Sequence, residues 1–167
     1  MNKTRDKILH ITYAAIIAAL YVALTWLSNF FGLASLAVQI RLGEALCVLS
    51  FFTSAAPVGL FVGCIISNLT MGSAAIDIIF GSLATLVGAY FGMKMKNKWF
   101  VPVPTVLANA IVVPFVILIC YTSEPWSFGI YAITALGVLA GEIASAYIIG
   151  MILLMALERR NIFKRKK

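Results

Sequence analysis

Between residues 8 and 157 the chain carries only eight charged side chains, strung among long apolar runs. The runs cover 8–31, 46–69, 76–93, 101–121 and 128–157. About 20 apolar residues suffice to cross the hydrocarbon of a bilayer as a helix. Composition agrees. Hydrophobic residues make up 62% and charged residues 11%, whereas soluble domains hold about 45–50% and about 25%. A water-soluble enzyme domain is excluded, and so is disorder, which goes with few apolar residues and much charge. The expectation is an all-α integral membrane protein, a single transmembrane domain over residues 1–167.

The net charge of +7 is not that of a nucleic-acid binder, because of where it sits. Twelve of the thirteen basic residues fall in three clusters: Lys3, Arg5 and Lys7; Lys94, Lys96 and Lys98; Arg159, Arg160, Lys164, Arg165, Lys166 and Lys167. Each cluster borders an apolar run, the pattern of cytoplasmic loops. The tail 158–167 also suits anionic lipid. Cys47, Cys64 and Cys120 lack metal or redox spacing and read as buried small hydrophobes. The first run is too long for a signal-peptide core and reads as the first span.

Placing all three basic clusters on one face sets the number of spans. Two runs separate Lys98 from Arg159, as required, but three separate Lys7 from Lys94. Pro57 offers the repair. Proline removes a backbone donor and disfavours helix in the residue before it. A break there gives short helices at 42–55 and 57–69. The expectation is six helices, at about 8–31, 42–55, 57–69, 76–93, 101–121 and 128–157, with both termini cytoplasmic. Outer loops then fall at 32–40, 70–75 and 122–127, the last holding Glu124. Tyr121 and Trp126 fit an outer aromatic belt, Trp99 and Phe100 an inner one. The rival is five segments, with 46–69 as one kinked span and Lys94 to Lys98 outside.

Small residues recur at spacing four: Ala15, Ala19 and Ala23, with Ala14 and Ala18 beside them, then Gly59 and Gly63, Gly88 and Gly92, Gly137 and Gly141. Such pairs let helix backbones approach closely in lipid. Most read as packing within the bundle; the alanine stripe is long enough to serve a partner helix as well.

Four charges lie neither in an inner loop nor at Glu124: Arg41, Glu44, Asp77 and Glu142. A charge at mid-bilayer costs at least about 2.5–3.5 kcal/mol, so such groups are usually paired or face a ligand or conduit. Arg41 and Glu44 share a helix face and read as a self-paired interfacial ion pair or as ligand contacts. Asp77 opens a helix, where the dipole favours it. Glu142 sits halfway along the last run, with Gly141 before it and Ser145 a turn later. Asn68 and Asn109 read as helix–helix glue or ligand contacts. Together, Arg41, Glu44, Asn68 and Asp77 near the outer surface and Glu142 below them predict an outward-open polar pocket for a small polar or cationic solute. Carboxylates would accept paired donors or an amine, and arginine and asparagine would hold carbonyls. Trp26 and Phe52 are candidate stacking surfaces.

No GxxxxGK[ST] loop, HExxH, Ser–His pair or metal cluster is present, so neither ATP hydrolysis nor intramembrane catalysis is expected, and no cofactor or metal. His10 reads as an interfacial residue, and no inverted repeat suggests a self-sufficient carrier.

The stretch 38–69, VQIRLGEALCVLSFFTSAAPVGLFVGCIISNL, and the stretch 77–92, DIIFGSLATLVGAYFG, resemble the QueT family of queuosine-precursor transporters. The shared blocks are QxRxxEAL, GLFxGxxxSNL and DxxFGSLAT, and the likeness covers about residues 8–157. That family is similar to the S components of energy-coupling factor (ECF) transporters. The resemblance implies a six-helix subunit that binds its solute from outside and works with a membrane T component and two cytoplasmic ATPases. It implies that the first-helix alanines, Ala15, Ala19 and Ala23, dock the T component, and that the loop 32–40 lids the site. It implies a deazaguanine base or queuine as solute, with Glu44, Asp77 and Glu142 meeting its donors and Arg41 its ring carbonyl or Glu44. The competing reading is a stand-alone channel or facilitator, or an S component for another heterocycle.

Overall fold

The computed structural model of the chain describes residues 3–33, 39–123 and 126–160. Glu124, most of the loop 32–40 and the basic residues from Lys164 onward lie outside them. Among the described residues all regular structure is helical. The order is α1 (Lys3–Phe30), a 3-10 helix (Leu42–Phe51), α2 (Ala56–Thr70), α3 (Ala75–Lys94), a short 3-10 turn (Lys98–Phe100), α4 (Val103–Cys120) and α5 (Phe128–Arg159). Within α5, Ile143–Ile149 is wound more widely, as a π-helix. Four segments are long and apolar enough to cross a membrane: Lys3–Phe30, Ala75–Lys94, Lys98–Cys120 and Phe128–Arg159. Their outward faces carry large apolar side chains such as Ile11, Phe80, Ile111 and Ile133. A bundle with such an exterior is built for lipid.

Contacts fix the direction of each element. A Cβ on Gly59 would meet the Ala14 carbonyl at 2.6 Å, and one on Gly63 would meet Tyr21 Cβ at 2.8 Å. Further along, Trp26 Nε1 donates to Thr70 Oγ1 at 3.1 Å. Residue numbers rise together on α1 and α2, so the two helices run parallel. The chain between them must therefore run back, and the 3-10 helix makes that return. Next, α3 runs antiparallel to α2: Asn68 lies by the start of α3 and Cys64 by Thr85, further along it. In turn α4 runs antiparallel to α3, with Gly88 against the Thr105 backbone and Gly92 against the Val101 carbonyl. Lys98 Nζ pairs with Glu158 at 2.7 Å. Hence the start of α1, the end of α3 and the end of α5 share one end of the bundle. All the described residues of the three basic clusters are there.

The central element is the 3-10 helix. It packs against α1, α2, α3 and α5, and residues 43–50 are all buried. Runs of 3-10 helix beyond three or four residues are uncommon; at about 2.0 Å per residue this winding reaches further than α-helix. The sequence reading placed one helix at 42–55, whereas the observed one stops at Phe51. Pro57 explains the stop, standing in the first turn of α2 where its missing N–H costs nothing. The turn before it is held by Thr53, whose hydroxyl accepts from Ala55 N and whose carbonyl accepts from Ala56 N. Glycines let the 3-10 helix be gripped. Gly43 lies against Tyr21 and Thr25, and Gly150 against the Ala45 carbonyl.

Candidate functional site

The four charges set among the apolar segments, of which Glu44, Asp77 and Glu142 are buried, divide into an outer and a deep group. Arg41 enters the 3-10 helix, Asp77 opens α3, Asn68 closes α2 and Tyr121 follows α4. Arg41 Nη2 lies 3.8 Å from Asp77 Oδ2, and Tyr121 donates its hydroxyl proton to the same oxygen at 3.3 Å. The Tyr121 oxygen also accepts from Ala74 N at 2.9 Å, which ties the end of α4 to the start of α3. Asn68 Nδ2 donates to the main-chain carbonyl of Asp77 at 3.4 Å, not to its carboxylate. The self-pairing of Arg41 with Glu44 is thus not what forms, because the rest of the 3-10 helix turns Glu44 inward while Arg41 stays at its mouth. Tyr121, expected only as a belt residue, is a partner of Asp77.

The deep group lies within the core. Glu44 is 0% exposed and Glu142 3%. Glu44 Oε1 accepts from Tyr21 Oη of α1, in a short contact, and from Thr85 Oγ1 of α3 at 3.0 Å. Thr85 lies eight residues along α3 from Asp77, about 12 Å deeper at the rise of an α-helix. Glu142 Oε1 accepts from Asn109 Nδ2 of α4 at 3.0 Å. Glu44, Asn109 and Glu142 interact as one cluster. Sequence reasoning missed Tyr21 and Thr85. Thr85 shares a face of α3 with Asp77 and Gly81, a signal visible in the spacing; nothing in the sequence singles out Tyr21.

Both deep carboxylates stand on or beside helix that is not α. Glu44 belongs to the 3-10 helix, and Glu142 immediately precedes the π-wound segment, which packs against it. Wide turns of this kind are frequent at functional sites because they re-aim side chains. Close packing sets the approach. A Cβ on Gly141 would run into the main chain of Gln39, so only glycine fits beside Glu142.

Several buried atoms have no hydrogen-bond partner among the described residues: Glu44 Oε2, Glu142 Oε2, Asn109 Oδ1, Asp77 Oδ1 and Thr105 Oγ1. Native proteins leave few such atoms, and each calls for an explanation. Among the described residues the polar groups of the expected pocket are enclosed. Asn68, Asp77, Asn109 and Glu142 are each at most 5% exposed, because the 3-10 helix fills the centre and the four helices around it close over the polar groups. Trp26 is exposed and bonds Thr70, and Phe52 packs edge-on against Phe51 at the core's margin. Ala15, Ala19 and Ala23 are exposed on α1, whereas Ala18 packs against α2. Among the described residues no cluster of potential metal ligands occurs.

Lipid-facing helices around a central, enclosed set of polar groups define a multi-pass helical membrane protein. Comparison with known proteins gives its family. The family model described as QueT transporter matches residues 11–159, and the chain belongs to that family. A curated relative, the queuosine precursor transporter QueT of Lactococcus lactis subsp. cremoris (strain MG1363), is 32% identical over 95 residues. The aligned part covers 57% of this chain and 56% of that relative, so it spans little more than half the relative's length. No solved structure matches.

Proposed function

We propose that the chain is the substrate-binding S component of an ECF-type transporter in a bacterial plasma membrane, and that its cargo is a queuosine precursor, a deazaguanine base or queuine. The buried carboxylate oxygens without partners carry this reading, since a solute with several N–H donors satisfies them. Family membership and the relative's name supply the cargo class. In this reading the 3-10 helix and α2 count as the second and third of six membrane helices. Both termini and the basic end of the bundle face the cytoplasm, in line with the positive-inside rule. The outer group, Arg41, Asn68 and Asp77, lies toward the entry side, and Glu44, Asn109 and Glu142 receive the solute. The exposed face of Ala15, Ala19 and Ala23 is left for the T component, since small residues permit close approach of a partner helix. Two ATPase subunits then energise release. The chain itself is not expected to catalyse a reaction or to need a cofactor.

The test is a titration of the detergent-purified chain, without partners or nucleotide, against deazaguanines, queuine and unrelated vitamins. Submicromolar binding of one deazaguanine is expected. Rapid solute flux through liposomes holding the chain alone, without ATP, would instead identify a channel. Ala19→Trp is expected to abolish ATP-driven uptake in the assembled complex while solute binding by the isolated chain stays intact.

A further inference from the structure

The deep cluster has a charge imbalance that the outer cluster, with its Arg41–Asp77 pair, lacks. Three of its atoms, Glu44 Oε2, Glu142 Oε2 and Asn109 Oδ1, are acceptors without a partner among the described residues. Their residues are 0%, 3% and 2% exposed. Among the described residues, the donors to these groups reach the other oxygens. Tyr21 and Thr85 donate to Glu44 Oε1, and Asn109 Nδ2 donates to Glu142 Oε1. No basic side chain forms an ion pair with Glu44 or Glu142 among the described residues, and the nearby guanidinium, Arg41, is paired with Asp77. Two carboxylates and an amide oxygen, from the 3-10 helix, α4 and α5, thus belong to one buried cluster that has no ion-pair partner of its own among the described residues.

The geometry points to a cradle for a primary ammonium group: the chain selects a deazaguanine that carries a cationic aminomethyl arm over one that carries a neutral nitrile. This rests on the cargo class proposed above. The fit is one of number and charge. An ammonium offers three N–H donors and no acceptor, and three acceptors await it. Its positive charge offsets the carboxylates where water is excluded, and hydrogen bonds between ions are the strong ones. A nitrile offers an acceptor and no donor, so it would leave all three atoms unpaired and add repulsion. Sites built to hydrogen-bond a donor reject the analogue lacking it, because their own buried groups go unsatisfied.

The experiment titrates the full chain in detergent with 7-aminomethyl- and 7-cyano-7-deazaguanine, which share one ring system. The wild type is expected to bind the aminomethyl compound at least about 100-fold more tightly. Glu142→Gln is expected to shrink that ratio to below about fivefold by weakening the aminomethyl compound alone. Equal binding of the two compounds by the wild type overturns the inference and leaves the cargo class standing, and so does a Glu142→Gln variant that weakens both alike. Binding of queuine but of neither compound overturns the inference and leaves the cargo class standing; if the folded wild type binds none of the three, the cargo class fails and the inference fails with it. The wild-type ratio needs no variant, so the inference stays open to refutation even if Glu142→Gln does not fold.

Discussion

Asp77 and Glu142 are both buried carboxylates in the same bundle, and their surroundings differ in kind. One oxygen of Asp77 meets both a guanidinium and a phenol. Its second oxygen points along α3 toward Gly81, where a Cβ would come within 2.8 Å of it. Glu142 has one amide donor and no ion-pair partner among the described residues. The outer group answers its charge with an ion pair and joins the 3-10 helix, α3 and the end of α4. The deep group has no ion pair among the described residues. A compensated pair holds elements in place, whereas an uncompensated one stores a cost that a bound solute can offset.

The sharpest way to break that contrast is the double variant Glu44→Gln with Glu142→Gln. Both amides keep the oxygens that accept from Tyr21, Thr85 and Asn109 and lose only the buried charge. Affinity for a cationic solute is expected to fall by about 100-fold or more, roughly 3 kcal/mol, while the melting temperature in detergent rises. A lower melting temperature with affinity preserved would make the deep carboxylates structural. In the outer group, Arg41→Ala should cost about 2 kcal/mol of stability, less than a fully buried pair because Arg41 is partly exposed. Adding Asp77→Asn should restore part of it, a coupling that a double-mutant cycle of melting curves reads directly. Tyr21→Phe removes one donor to Glu44 and should weaken solute binding by about fivefold, near 1 kcal/mol. The smallest effect is expected from Tyr121→Phe, about 0.5 kcal/mol in thermal stability, since that side chain is half-exposed and water can replace it.

The sequence made the candidate site legible mainly because charge is so rare in this chain. Arg41, Glu44, Asp77 and Glu142 stand out against lipid-soluble surroundings by cost alone. Their partners were not legible. Tyr21 and Thr85 are ordinary residues of apolar helices, and Tyr121 looks like any interfacial tyrosine. The pairing of Arg41 with Asp77 over Glu44 crosses 36 positions and depends on how the 3-10 helix is rotated. The break before Pro57 was readable, because proline has one physical consequence wherever it stands. The 3-10 and π windings were not, since each is imposed by neighbours: Gly43 yields to Tyr21 and Thr25, Gly150 to the Ala45 carbonyl.

By itself, then, the sequence determined that the chain is helical and lives in lipid, which of its ends share a face, and which few side chains are too costly to be there without a reason. Those properties follow from local composition, apolar run length and charge count. The tertiary structure alone decided that the middle helix is drawn out and buried at the centre, that one carboxylate has an ion-pair partner and two have none among the described residues, and that Tyr21 and Thr85 hold one of them. Those outcomes follow from which helix faces meet across distances in sequence that no local pattern encodes.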